Sequence, residues 1–116
     1  DYQGLLAESD GIFLVAAGPV VVGFLAARVV SDELEILNLA VEPAHRGRGV
    51  AARLLGEALA EARARDVRSA WLELRASNQR ALAFYRSFGF QVTSCRPRYY
   101  RDPEEDAIVC RRLLLP

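Results

Sequence analysis

The chain contains no lysine and no methionine, one histidine, one tryptophan and two cysteines in 116 residues. Without lysine it has no phosphate loop of the G-x-x-x-x-G-K-[ST] kind. Without methionine, residue 1 is not a translation start, and an N-terminal segment is expected to precede Asp1. The lone histidine, His45, has no second metal ligand in view, so no metal site is expected and a solvated loop residue is the reading. Cys95 and Cys110 are too few for a disulfide scaffold and are expected as a reduced, packed pair, neighbours on the last two strands. No apolar run reaches the ~18 residues of a membrane span, and no signal-peptide pattern is present. A cytoplasmic protein without a membrane partner is therefore expected. Nor is there an excess of one charge. Fifteen arginines against fifteen acids give a formal net charge of +0, which argues against a nucleic-acid partner held by bulk charge.

What is present is an ordinary globular composition, 52% hydrophobic and 26% charged, of a length that suits one domain over 1–116. Apolar runs at Gly11–Ala17, Val20–Val30 and Glu33–Val41 read as strands, separated by the turn signals Gly18–Pro19 and Ser31–Asp32. Links this short imply an antiparallel meander. Gly23 marks a bulge or a close approach. Tyr2–Glu8 reads as the tail of a helix. From Gly49 to about Arg65 the apolar residues Ala51, Leu54, Leu55, Ala58, Leu59 and Ala62 recur at helical spacing, with Arg53/Glu57 and Glu61/Arg65 paired on the wet side. The next strand spans Ala70–Arg75. Strand, helix and strand in this order form a right-handed crossover, so the flanking strands are expected to be parallel. Ser77–Asn78 then caps a helix that ends at Gly89. Phe90–Arg96 and Ala107–Leu114 read as a terminal strand pair.

The stretch from Ile36 to Leu55 organises the rest. A short apolar strand is stopped by Pro43, and Arg46–Gly47–Arg48–Gly49 turns directly into a helix. Such a turn bares backbone N–H groups at a positive helix end, which suits phosphate. The dinucleotide fingerprint G-x-G-x-x-G is not met, because Ala52 stands where its third glycine belongs.

Further along, Trp71, Glu73 and Arg75 share one face of their strand, and Leu72 and Leu74 the other. A mid-strand glutamate needs a polar partner. Two readings stand: a Glu73–Arg75 pair on a wet face, or a carboxylate with a chemical task. Asn78, Ala81 and Tyr85 share one helical face. Asn78 is a cap only or a ligand-binding amide, and Tyr85 is a core aromatic or an acid.

The pattern Arg46-x-x-Gly49-x-Ala51 resembles the [RQ]-x-x-G-x-[GA] pyrophosphate loop of the GNAT acyl-CoA-dependent N-acetyltransferases. Trp71–Leu72–Glu73–Leu74–Arg75–Ala76–Ser77–Asn78, the Ala81/Tyr85 spacing, Gly89–Phe90, Arg96, Tyr99–Tyr100 and Glu105–Asp106–Ala107 resemble its RimI-type branch, the protein N-terminal acetyltransferases. The likeness runs from about Gly11 to Leu114. It implies an α/β GNAT fold, a mixed and mostly antiparallel sheet with a central, splayed parallel strand pair and helices on both faces. It also implies that a strand and at least one helix are missing before Gly11, and that a neighbouring chain could cover the edge they leave, as a monomer or a homodimer.

The resemblance further implies acetyl-CoA as co-substrate. Backbone of Leu39, Ala40 and Val41 would hold the pantetheine arm, and the loop and helix start, Arg46, Gly47, Arg48, Gly49, Val50, Ala51 and Ala52, would hold the pyrophosphate. The Asn78 side chain would also bind the coenzyme. Glu73 matches the general base and Tyr85 the general acid, its reference pKa near ~10 close to that of a thiol. The N–H of Val41 or a neighbour suits an oxyanion. The acceptor implied is the N-terminal α-amine of a protein such as a ribosomal protein. Rival readings are a small amine or lysine as acceptor, a CoA-binding module without turnover, and a nucleotide-phosphate binder. Tyr99–Tyr100 either line the acceptor groove or pack their loop onto the sheet. Glu104–Glu105–Asp106 reads as a solvated acidic turn, able also to attract a positive N-terminus.

Overall fold

Three strands in sequence, β1 (Gly11–Ala17), β2 (Val21–Val30) and β3 (Glu33–Val41), form the antiparallel meander that their short links require. The structure, a computed structural model, describes residues 11–114, so the helix expected over Tyr2–Glu8 lies outside the described residues. A single 3-10 turn over Pro43–His45 follows β3. Then come helix α1 (Val50–Ala64), β4 (Ser69–Arg75), helix α2 (Gln79–Ser87), β5 (Gln91–Tyr100) and β6 (Glu105–Leu113). The six strands form one sheet in the order β1-β2-β3-β4-β6-β5. β3 and β4 are the parallel neighbours, joined by α1 as the crossover.

Helix α1 buries the stripe its spacing marks, Leu54, Leu55, Ala58, Leu59 and Ala62. On its wet side Arg65 meets Glu61 at 2.9 Å and Arg53 meets Glu57 at 3.8 Å. Helix α2 buries Leu82 and Tyr85 and stops at Gly89, whose φ of 85° is a left-handed conformation. These side chains share one hydrophobic cluster with Leu25, Leu34, Leu72 and Cys110 of the sheet. The register puts those sheet residues on one face, with Leu34 opposite Ala70 and Leu72 opposite Cys110.

Both described helices therefore pack on the same face, and any helix on the other, expected from the sequence, lies outside the described residues. Periodicity shows that a helix has one apolar stripe. It does not show which side of a sheet that stripe meets. The other face carries Phe13 and Phe24, with ring centroids 5.9 Å apart, then Trp71, Glu73 and a row of ion pairs. No described helix covers it.

At the far edge, β5 runs on to Tyr100 and β6 starts already at Glu105, so the terminal hairpin is longer than its apolar runs alone mark. A register shift between Val92 and Ser94 sets Cys110 opposite Val92 and Cys95 opposite Ile108. The cysteines are thus free but not neighbours: Cys95 is exposed and Cys110 is buried. The pairing register, which the residue spacing does not reveal, keeps them apart.

Candidate active site

Parallel pairing between β3 and β4 lasts only from Glu33–Glu35 against Ser69–Trp71. Just beyond, Ala26 of β2 faces Asn38 while Ala27 faces Ile36, leaving Leu37 as an extra residue in β3. A bulge bends its strand. Past this one, Leu39, Ala40 and Val41 pair with β2 alone, and their other edge meets no described strand. This is the opening that the resemblance implies. Gly23 faces its base. A Cβ there would lie 3.0 Å from the Ala40 carbonyl oxygen and 3.2 Å from Val50 Cγ1, so glycine is what lets β2, β3 and the start of α1 converge.

The loop after β3 is shaped by handedness. Gly47 and Gly49 have φ of 78° and 80°, with open space where a Cβ would sit, so the backbone conformation selects glycine there, and crowding plays no part. Gly49 is the N-cap of α1 and supplies no side-chain cap. The Arg53 N–H reaches the Gly49 carbonyl at 3.0 Å. The N–H groups of Val50, Ala51 and Ala52 precede it and have no carbonyl behind them in the helix. They face outward at the positive end of the helix dipole. Arg46 Nε donates to the Val41 carbonyl at 3.2 Å and ties this loop to the end of β3.

Between strand, loop and helix lies a cleft of about 720 Å³. One wall is Leu39–Val41, the floor is the loop and the first turn of α1, and the far wall is Asn78, Arg80, Ala81, Phe84 and Tyr85 of the α2 region. Among the described residues no acidic side chain lines it, and the basic ones are His45, Arg46 and Arg80. Arg48 alone among the coenzyme-binding residues expected from the sequence lies outside the cleft and is exposed. Asn78 Oδ1 accepts from the Ala81 N–H at 3.2 Å, so its oxygen serves the cap and its amide N–H₂ remains for a ligand. His45 is half-buried rather than solvated, and its Nδ1 is shielded without a hydrogen-bond partner. Arg80 and Phe84 were not legible as site residues. The one available signal was Phe84 standing three residues after Ala81 on the same helical face.

Tyr85 is 7% exposed, edge-on to Phe84 and Phe90 at centroid distances of 5.2 and 5.6 Å. Burial, aided by the neighbouring Cys110 thiol, pushes its pKa up to about 12. The expected match to a thiol near ~10 is thereby corrected. The phenol stays protonated throughout the neutral range and is a hydrogen donor to whatever enters the cleft.

Glu73 points the other way. It projects from β4 onto the face that carries no described helix, the helix-free face among the described residues, and does not line the cleft. Its side chain is 15% exposed and stands 3.1 Å from Arg96 Nε. Its Oε2 is shielded from solvent and accepts no hydrogen bond. The Glu73–Arg75 pair does not form. Arg75 is drawn instead to the β5–β6 turn, donating to the carbonyls of Pro103 and Arg101 at 3.0 Å each and to Glu105 at 3.3 Å, with its guanidinium 4.5 Å from the Tyr100 ring. Arg75 ends β4 and is within reach of the turn, whereas Glu73, two residues earlier on the strand, is met by Arg96. Glu73 and Tyr85 thus lie on opposite faces of the sheet, with the opening between β3 and β4 as the gap between those faces.

In the acidic turn Glu104 and Asp106 are exposed, as a solvated turn requires, and two of the three acids also fasten it. Glu105 accepts from the Ser77 N–H at 2.5 Å, and Asp106 from the Arg98 N–H at 2.9 Å. The Ser77 side chain first, then its N–H and Arg75, holds the Glu105 carboxyl below the usual carboxylate range. Tyr100 packs on Arg75, and its pKa is raised by burial first and by the nearby Glu73 charge second. Tyr99 remains 47% exposed.

A glycine-lined anion loop at the foot of a splayed parallel pair is a distinctive arrangement, and comparison with known proteins agrees with it. The acetyltransferase (GNAT) family matches residues 1–90. The chain belongs to this family. Within the GNAT family it is similar to the [ribosomal protein bS18]-alanine N-acetyltransferase of Escherichia coli (strain K12), 41% identical over 88 residues, covering 74% of this chain and 60% of that protein. It is also similar to the N-alpha-acetyltransferase RimI of Mycobacterium tuberculosis, 42% identical over 106 residues, covering 91% and 63%. The crystal structure of the ribosomal-protein-S18-alanine N-acetyltransferase from Escherichia coli superposes with a TM-score of 0.86 at 30% identity, covering 98% of this chain and 77% of that one. The chain thus spans under two thirds of the length of these two curated GNAT relatives.

Proposed function

We propose that this GNAT chain transfers the acetyl group of acetyl-CoA to the N-terminal α-amine of a protein, such as a ribosomal protein. The observation that carries the reading is the free edge of Leu39–Val41 running onto the unpartnered N–H groups of α1, in a cleft that no described acid lines. A pantetheine arm is amide-rich and extended and pairs with such an edge as a strand would. A pyrophosphate is an anion and suits the helix start. Asn78 offers its amide N–H₂, and the shielded His45 Nδ1 offers one further polar contact. Similarity to enzymes named for alanine and N-alpha acetylation supports the choice of acceptor.

The two-sided geometry suits the chemistry. An α-ammonium must lose a proton before it attacks a thioester. On the helix-free face the Glu73 carboxylate takes that proton, directly or through a water. The amine nitrogen bonds to the carbonyl carbon, the carbon–sulfur bond breaks, and the sulfur leaves on the cleft side. There the Tyr85 phenol supplies its proton. Base and acid on opposite faces fit a carrier that passes through the sheet opening and is met by the amine from beyond. The reaction needs no metal. Of the described residues, no helix is long and apolar enough to cross a membrane. We place the protein in the cytoplasm, as a monomer or a homodimer, with neither membrane nor nucleic acid as partner.

The test is a thiol-release assay with acetyl-CoA and peptides starting in alanine, serine or methionine, beside polyamines, aminoglycosides and a lysine peptide. Turnover on N-terminal peptides alone is expected. Turnover confined to small amines or lysine would replace the acceptor. Tight CoA binding without thiol release would make the chain a binding module. ATP displacing CoA would favour a nucleotide site.

A further inference from the structure

We propose that Arg96 is a displaceable counterion of Glu73, holding the place that the acceptor's ammonium takes. The inference rests on Glu73 being the base of the proposed reaction. It draws on a contrast among the arginines of the helix-free face. Arg75 is fixed by two carbonyls, a carboxylate and an aromatic ring. Arg111 is both ion-paired and hydrogen-bonded to Glu33. Arg96 reaches Glu73 at 3.1 Å without forming a hydrogen bond. Its side chain is 53% exposed and extends from the outermost strand, β5. The face of Tyr99, 5.5 Å from the guanidinium, gives it a second resting place.

Glu73 supplies the complementary half. Its Oε2 is closed to bulk water yet accepts no hydrogen bond. A shielded carboxylate oxygen with unused lone pairs, neutralised only by a cation that sits loosely, is suited to exchanging that cation for an N–H donor. While Arg96 stays within reach, an arriving ammonium shares one negative charge with a second cation. That repulsion weakens its binding and favours its neutral, nucleophilic form. Arg96 is thus a positioning residue that gives up some acceptor affinity in favour of faster chemistry.

The test is steady-state kinetics of the full chain and of its Arg96→Ala and Arg96→Lys variants with an alanine-starting peptide. Calorimetric titration of the same peptide into the CoA-loaded protein accompanies it. Arg96→Ala is expected to lower the peptide KM and Kd about three- to five-fold, the strength of a half-exposed ion pair. Its kcat should fall by a similar factor, with the KM for acetyl-CoA unchanged. Arg96→Lys should restore both values. In a Glu73→Gln background the Arg96→Ala effect on peptide Kd should vanish, since the two residues act as one unit. A peptide Kd that is unchanged or raised in Arg96→Ala overturns the proposal, as does a fall that persists without Glu73 or a peptide that binds neither protein. Full kcat in Glu73→Gln alone would refute Glu73 as the base, and that outcome is read separately from the peptide Kd.

Discussion

Replacing Tyr85 with phenylalanine separates a chemical role from a packing role. The ring sits between Phe84 and Phe90 and keeps its place without the hydroxyl. Catalysis should suffer while binding does not. kcat is expected to fall at least tenfold and the Kd for acetyl-CoA to stay within twofold, which corresponds to the loss of a general acid worth about 10²–10⁴-fold at most. The same hydroxyl makes a stability prediction that is independent of activity. Its pKa is about 12 in the folded chain, against about 10 for a free tyrosine. A raised pKa contributes stability that is whole below the unfolded value and is lost as pH rises through the folded one. Between pH 8 and pH 11 the wild type should therefore lose about 1.4 kcal/mol that Tyr85→Phe keeps. In a domain of this size that is roughly 5–10 °C of Tm. Urea melts at the two pH values measure it as the difference between the two proteins, which cancels the alkaline titration of Tyr100 and Cys110, both also raised by burial. Equal alkaline losses would mean that the phenol is not desolvated as described. Equal losses of kcat and acetyl-CoA affinity would make Tyr85 a wall of the cleft and nothing more.

Other substitutions address the remaining parts. Gly49→Ala forces a left-handed φ on a side chain, costs about 1–2 kcal/mol in denaturant melts, and should weaken CoA binding in a fluorescence titration because the helix N–H groups turn away. A variant with unchanged CoA affinity would remove the loop from the site. Glu73→Gln should abolish the limb of the pH–rate profile that reports the base while leaving CoA affinity intact; a profile of unaltered shape rules the carboxylate out of that role. Glu105→Gln should loosen the turn that Glu105 fastens to Ser77 and Arg75. The folded carboxyl is held low, so its contribution is present above the unfolded pKa and is lost as pH falls through the folded one. Acid unfolding followed by circular dichroism should be less steep in the variant than in the wild type.

Local residue pattern determined a good deal of this protein. The meander follows from short turns between apolar runs, α1 from its stripe and α2 from its Asn78 cap and Gly89 stop. The anion loop follows from glycines whose left-handed φ no other residue adopts cheaply. All of these are set by contacts within a few residues, which is why the chain displays them in order. What required the tertiary structure was everything that depends on facing and register. The bulge at Leu37 that ends the parallel pairing, the gathering of both helices on one face, and the separation of Cys95 from Cys110 come from how strands slide and stack, and alternation alone is silent on that. The partner of Glu73 was decided in the same way. The strand offered Arg75, two residues along. The fold sent Arg75 to the turn and brought Arg96 across β6 from β5, because the β6 residues opposite Glu73 and Arg96, Val109 and Ala107, are uncharged and short enough for an arginine to reach over.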